Sequence, residues 1–396
     1  MKKLWQKSDN HIIDTNIESY TIGNDYLLDM DLVSYDIQGS RAHARGLQKI
    51  GILTPHELIL LENGLDVILE LWKKGEFVIA REQEDMHTAI EDFLTTTCGE
   101  VGKKIHTGRS RNDQILVALR LFSLDKLKAV FSLFEGLIQA FDIAAKKYTS
   151  FNMPGYTHMQ RAMPTTVEVW LGAYHDALID DVIFLKSVGE ILNQNPLGSA
   201  AGYGENILGI DREFTAKELG FLNVQKNPIY CAMSRGKFEL MMMQALSQIM
   251  MDLGKFASDL LLFTTKEFRF FDLPESFKTG SSIMPQKKNF DVLELMRGNV
   301  AIFNGYVSQI QELIKNLPLG YNRDFQLMKE PFLKGVKLAI DTITIAEKVA
   351  SNLQVNREIL EQACTPDLYA TDEAYRLVKN GMPFRDAYRE IGKQYQ

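Results

Sequence analysis

Hydrophobic residues recur at helical spacing over several long stretches of the chain. Between residues 238 and 261, Phe238, Met242, Leu246, Ile249, Leu253, Phe256 and Leu260 fall at steps of three or four. From 292 to 314, Val292, Met296, Val300, Phe303, Val307, Ile310 and Ile314 alternate steps of four and three. That near-heptad spacing draws a narrow apolar seam, the form suited to helices that pack on helices. A third stripe runs through Leu116, Leu119, Leu127, Val130, Phe134, Leu137 and Phe141. Met241, Met242, Met243, Met250 and Met251 belong with core filling rather than with a cofactor, since flexible unbranched side chains suit irregular gaps.

Proline placement agrees. None occurs between Pro55 and Pro154, Pro228 and Pro274, Pro285 and Pro318, or Pro331 and Pro366. An interior proline costs a helix about 3 kcal/mol, so these intervals are where long helices fit. Strand signals are weak, and neither a β-hairpin nor a βαβ spacing stands out. The pattern predicts an all-α protein in three helical parts: an N-terminal domain over 1–104, a long central bundle over 105–355 and a short C-terminal domain over 356–396. Loops rich in glycine and proline fall at 99–112, 151–165, 193–210, 272–290 and 317–331.

Charge and cysteine usage narrow the class. The 396 residues carry 44 Lys+Arg against 51 Asp+Glu, a net charge of −7. A nucleic-acid binder usually shows the opposite surplus, although a local basic pocket for a small anion remains open. Cys98, Cys231 and Cys364 lie far apart with no C-x-x-C pair. That argues against a disulfide framework or a cysteine-rich zinc site and for a reducing cytoplasm. The opening MKKLWQKSDNHIIDTN has no continuous apolar core of a leader, and no run approaches the roughly 20 apolar residues of a membrane span. The expectation is a cytoplasmic protein with no membrane and no nucleic-acid partner.

Four loops concentrate reactive side chains. TGSSIMPQKKNFD at 279–291 combines a flexible Gly-Ser-Ser with Lys287, Lys288 and Asn289 just before a helix that Asp291 opens. Unpaired N–H groups and the helix dipole favour an anion there, against the alternative of a solvated lysine loop. HTGRSRNDQ at 106–114 sets Arg109 and Arg111 one residue apart. Their planar forks suit carboxylates, while Ser110 or Asn112 could simply cap the helix. PGYTHMQRAMP at 154–164 places Thr157 and His158 between two prolines, leading into a helix near Thr165. Histidine is the side chain best matched to proton transfer near neutral pH. GYNRDFQLMKE at 320–330 offers Tyr321, Arg323, Gln326 and Lys329. In EDMHTAIE at 84–91, His87 and Glu91 read as an i,i+4 pair rather than a metal site, because H-E-x-x-H is absent. No nucleophile triad, dinucleotide fingerprint or metal cluster appears. The inventory suits acid–base chemistry on a multiply charged acid without cofactor or metal.

These residues resemble the fumarase/aspartase superfamily of lyases, whose hallmark loop is G-S-S-x-M-P-x-K-x-N. GSSIMPQKKN at 280–289 matches every fixed position. MPQKKN, with GRSRND at 108–113 and PGYTHMQRA at 154–162, is similar to the argininosuccinate lyase family within it. DIQGSRAH at 36–43, PLGS at 196–199, IDRE at 210–213 and PFR at 383–385 extend the resemblance along essentially the whole chain.

The resemblance implies a homotetramer around a twenty-helix core, with each active site assembled from loops of three subunits. It also implies reversible elimination of arginine from argininosuccinate to leave fumarate, in arginine biosynthesis. By position, Ser281 and His158 form the acid/base pair, with Glu294 orienting the histidine. Lys287 and Asn289 hold a carboxylate, and Thr157 and Asn112 add hydrogen bonds. Tyr321, Gln326 and Lys329 match further substrate positions, Asp25 aligns where a substrate-touching serine is usual, and Arg109 and Arg111 lend electrostatic support. Phe290 replaces a usual proline, and NPIYCAMSRGK at 227–237 keeps Arg235 but loses acidic residues. The chain stops soon after PFRDAYREIG, earlier than family members usually do, so the expectation is a C-terminal domain either trimmed or naturally short. The alternatives are another lyase of the superfamily, a modified argininosuccinate as substrate, or a non-catalytic crystallin-like homologue.

Overall fold

The computed structural model describes residues 14–395; the reading of the first residues as lacking a leader lies, up to residue 13, outside the described residues. The protein is mostly helical. Five helices are long: Arg111–Lys147, Val167–Leu192, Lys237–Phe263, Asp291–Ile314 and Lys329–Ser351. Four of them fall in the proline-poor stretches, with Pro331 tolerated in the first turn of the last, and Val167–Leu192 fits in the shorter gap between Pro164 and Pro196. Among the described residues, no helix is long and apolar enough to cross a membrane.

The apolar stripes became core. Phe238, Met242, Leu246, Ile249, Leu253, Phe256 and Leu260 are all buried, as are Leu116, Leu119, Leu127, Val130, Phe134, Leu137 and Phe141. In helix Asp291–Ile314 only every seventh position of the seam, Met296, Phe303 and Ile310, is fully buried. Its other seam residues are half covered. Met242, Met243 and Met250 are buried, as filler should be.

Two compact units partition the chain. The first takes residues up to Ala129, Leu185–Ala245 and Gly305–Lys337. In it Arg120 is buried and donates from Nη1 to the carbonyls of Leu192 and Gln194, at 3.0 Å each. These close the C-terminal end of helix Val167–Leu192, where carbonyls lack intrahelical partners. The guanidinium also lies 3.9 Å from the Phe238 ring centroid. The second unit takes Val130–Phe184, Leu246–Asn304 and Leu338–Gln396. Its core is aromatic: Trp170 stacks on Phe271 at 4.7 Å, and Phe141 meets Phe256 edge-on at 4.9 Å. Trp170 and Tyr174 both donate to Asp259 Oδ2, which satisfies their polar ends inside an apolar cluster.

A β-hairpin departs from the expectation of none. Strand Asn152–Thr157 pairs antiparallel with Gln160–Thr166, with a bulge between Pro154 and Tyr156, so the following helix starts at Val167. The turn is His158-Met159, both left-handed at φ 54° and 61°. Such turns normally advertise themselves by Asn-Gly; here neither residue gives that signal. Among the described residues, three further sheets are ladders of two residues per strand.

Gly102 marks the closest backbone approach. Its 3-10 segment, Gly99–His106, folds back on helix Met86–Cys98, and an added Cβ would stand 2.3 Å from the Leu94 carbonyl oxygen. Because that neighbour is backbone, it has no rotamer by which to yield. Gly102→Ala is therefore expected to destabilise by about 1–3 kcal/mol, read as a lowered urea midpoint at unchanged slope.

Candidate active site

Within the first unit a cavity of about 210 Å³ gathers side chains from five separate stretches. At its centre Lys329, 2% exposed, opens helix Lys329–Ser351. Its ammonium lies 2.9 Å from Asp25 Oδ1 and 2.5 Å from Asp29 Oδ1. Burial opposes that charge, yet the two carboxylates outweigh it and hold Lys329 above the usual ammonium range. Burial, with Asp29 adjacent, pushes Asp25 above the usual carboxylate range against the pull of Lys329. Asp29 Oδ2 also accepts the Met86 N–H at 3.1 Å, which ties the pair to the start of helix Met86–Cys98.

Arg111 closes a second wall. It pairs with Asp85 Oδ2 at 3.1 Å and Glu84 at 3.6 Å, and donates to Thr88 Oγ1 at 2.9 Å. Asp85 is itself the N-cap of helix Met86–Cys98, accepting from the Thr88 amide. Asn112 lines the cavity one residue on, at the start of helix Arg111–Lys147. Ser110 does the capping foreseen for it, accepting the Asn112 amide at 3.2 Å, while Asp113 Oδ1 accepts the Ser110 amide at 2.8 Å. Asp113 Oδ2 takes the amides of Gly198 and Ala200, which fastens the 198–200 turn to this helix start.

The third wall is the 3-10 segment Arg323–Met328. Gln326 Nε2 donates to the carbonyls of Thr21 and Ile22, and Arg323 to that of Thr21, capping helix Thr15–Ile22. Tyr321 is 40% exposed, and the guanidinium of buried Arg235 lies 5.1 Å from its ring centroid. Seven of the residues singled out from the sequence, Asp25, Arg111, Asn112, Tyr321, Arg323, Gln326 and Lys329, thus line one cavity. Arg109 does not; it is buried outside the lining and donates to Ser40 Oγ at 3.0 Å.

Asp29, Glu84, Asp85, His87 and Arg235 join the lining without having been singled out as ligand groups. For His87 the structure corrects the i,i+4 reading: its Nδ1 lies 3.2 Å from Asp36, while Glu91 lies 3.4 Å from His106. Burial works against a charged His87, but Asp36, Asp85 and Asp29 together raise it above an ordinary imidazole. The acidic run EDMH was the available signal for this wall.

The second unit carries the remaining candidates on two hairpins and the start of one helix. Thr157 pairs with Gln160 across the turn that exposes His158. Below it, Arg161 donates to Ala363 O and Thr365 Oγ1, and Tyr156 packs on Phe263 and Phe268. The tip is exposed but its stem is fixed. On the other loop, Thr279–Gly280 pairs antiparallel with Lys288–Asn289, and 281–287 projects between them. Ser281 Oγ accepts the Met284 amide at 3.1 Å, Lys287 N–H donates to Met284 O, and Asn289 Nδ2 reaches Gly280 O at 3.5 Å. Glu294 is exposed in the first turn of helix Asp291–Ile314. No hydrogen bond or ion pair joins it to His158 among the described residues.

A buried ammonium between two carboxylates, guanidinium groups beside a phenol and amide donors suit a ligand that is both anionic and cationic. The exposed Ser281 loop and the strained histidine are of the type that carries proton transfer. Residues 15–303 match the family profile described as lyase. The chain is 45% identical over 394 residues to argininosuccinate lyase of Thermotoga neapolitana, covering 100% of this chain and 98% of that protein. It is 42% identical over 391 residues to the enzyme of that name from Phocaeicola vulgatus, covering 99% and 87%. Among solved structures, EDDS lyase in complex with formate superposes with TM-score 0.81 at 26% identity, over 95% of this chain and 74% of that one. The fumarate lyase:delta crystallin structure from Brucella melitensis, at TM-score 0.80 and 18% identity over 95% and 87%, shares the fold. Fold and profile together define a lyase of the fumarase/aspartase type. Within that class, the chain belongs to the argininosuccinate lyase family.

Two outcomes follow from the geometry. Lys329→Met would leave Asp25 and Asp29 facing each other without a counter-charge, and should cost about 3–5 kcal/mol in urea unfolding. His43, whose Nε2 contacts Thr107 O at 2.9 Å, supports the 106–114 loop from behind. Burial, with Arg109 nearby, depresses its pKa to about 3, against about 6.5 in the unfolded chain. Above about pH 6.5 both states are neutral. Below it the unfolded chain takes up a proton that the folded one refuses. Stability should therefore fall with pH down to about 3, with a slope of up to about 1.4 kcal/mol per unit from this group. His43→Gln should flatten the urea midpoint between pH 6.5 and 4.

Proposed function

We propose that this protein eliminates L-arginine from argininosuccinate, reversibly, leaving fumarate. The observation that carries the reading is the intact GSSIMPQKKN loop in a chain similar over its whole length to argininosuccinate lyases. One proton leaves the carbon next to a carboxylate, the C–N bond breaks, and its electron pair goes to the guanidino nitrogen, which takes up a proton. Ser281 and His158 are the pair that exchanges these two protons, and Glu294 orients His158. Proton loss beside a carboxylate builds negative charge, so preorganised cations and donors lower the barrier most. Lys287 and Asn289 serve the fumarate end, with Thr157 and Asn112 as further donors. Tyr321, Gln326, Lys329, Arg111 and Asp25 hold the remainder, and Arg109 acts through the loop it stiffens. The reaction needs no cofactor or metal in this reading, and its place is the cytoplasm.

The same reading gives a homotetramer around a twenty-helix core, with sites shared among three subunits. Exposed apolar residues on the long helices support it. Leu295 and Ile302 are 65% and 54% exposed, one heptad apart on helix Asp291–Ile314, and Ile183 is 60% exposed on helix Val167–Leu192. Faces of that kind ask for partner helices. The three-part organisation over 1–104, 105–355 and 356–396 is part of the proposal. It is supported by the five longest helices lying within the middle part, the helices beyond it having at most 19 residues among the described residues.

Purified protein given argininosuccinate should release fumarate, followed by its ultraviolet absorbance, with adenylosuccinate, aspartate and malate inert. Ser281→Ala and His158→Asn should each lower kcat by about 10²–10⁴-fold with stability unchanged. Absence of fumarate from the folded wild type would overturn the assignment.

A further inference from the structure

A second cavity, of about 320 Å³, lies in the second unit at the base of the 281–287 loop. None of the residues lining it is assigned to the reaction. Its wall brings together four cationic side chains, Lys266, Arg269, Lys278 and Lys288. Two of them are neutralised. Lys278 pairs with Asp272 at 2.8 Å and Glu275 at 3.1 Å, and Lys288 pairs with Glu275 at 2.5 Å. Among the described residues, no ion pair or side-chain hydrogen bond engages Lys266 or Arg269. Two positive charges are thus left over in a concave site.

The setting favours an anion over open solvent. Phe271 and Phe290 form part of the wall, and Lys278 lies 5.7 Å from the Phe290 ring centroid. Apolar walls strengthen electrostatic attraction, while Gln286 and Asn356 add hydrogen-bonding groups. Arg269 is not on a wandering tail. Its backbone is left-handed at φ 54°, and it is pinned by its own amide to Thr265 O at 2.8 Å and by the next amide to Phe263 O. A non-glycine residue is unfavourable in that conformation, so neighbouring contacts must hold it in place.

We propose that this cavity is a second anion site, which takes a small dianion such as phosphate or a short dicarboxylate between Lys266 and Arg269. Its occupancy is coupled to the loop above. Lys288 belongs at once to the cavity wall, to the ladder with Gly280 that closes the loop, and to the ion pair with Glu275. A dianion draws Lys288 and Lys278 toward the cavity and stiffens the ladder. Phe290, which follows the ladder, lines the cavity and directly precedes helix Asp291–Ile314.

The test requires no lyase activity, so its failure is separable from failure of the proposed reaction. The full chain is titrated calorimetrically with inorganic phosphate and, separately, with succinate, alongside the double variant Lys266→Gln/Arg269→Gln. Both changes are on exposed side chains, and a thermal melt checks folding. The wild type should bind one more equivalent than the variant, or bind at least tenfold more tightly; any anion at the reaction site persists in both and cancels. Tighter phosphate identifies a phosphoryl ligand, and tighter succinate a dicarboxylate. Proteolytic cleavage within 281–287 should slow with the tighter anion in the wild type only. Equal binding by wild type and variant, or no binding of either anion, would overturn the proposal.

Discussion

An ammonium taken out of water must find counter-charge or give up its proton. Lys329 meets that demand with Asp25 and Asp29, and the first unit is arranged around the consequence. Asp29 spends its second oxygen on the Met86 amide, so the ion pair also sets where helix Met86–Cys98 begins. That helix start brings Asp85 to Arg111, which in turn opens helix Arg111–Lys147 beside Asn112. One buried cation thereby fixes three chain segments against each other. The cavity they leave is polar because its walls are charged groups already committed to partners.

The second unit reaches a similar end by other means. His158 stands on a stem held by Arg161 and by aromatic packing, and its strain is confined to the two residues of the turn. Residues 281–287 hang instead from two ladder pairs, with Ser281 turned onto the loop's own amides. In the proposed reaction, a rigid histidine and a loosely tethered serine meet complementary demands of proton transfer in a site that must also admit substrate.

The long helices were legible because period and proline spacing act through many residues at once. Phe238 to Leu260 and Leu116 to Phe141 each form a stripe that only a helix can bury on one side. The GSSIMPQKKN loop was legible as a unit, since its flexible Gly-Ser-Ser and paired lysines set it apart from the helix that follows. The hairpin around His158 was not. Its strands contain Pro154 and Pro164, and its turn is His-Met where Asn-Gly would have announced it. The acidic wall was hidden for a different reason. The partner of His87 is Asp36 and that of Lys329 is Asp29, contacts between distant positions that no local pattern encodes. Arg109 and Arg111 show the limit most sharply: one residue apart in an arginine pair, they end in different surroundings, one bonded to Ser40 and one lining the cavity.

The two-pair ladder beneath Ser281 has a kinetic consequence. An exposed backbone hydrogen bond contributes only about 1 kcal/mol net, so a loop closed by so few of them opens at small cost. If the loop covers the site in the proposed reaction, such motion belongs to the microsecond-to-millisecond range in which product release commonly governs kcat. The clock of the reaction would then sit in Thr279, Gly280, Lys288 and Asn289, residues whose own chemistry is secondary to how long they stay paired.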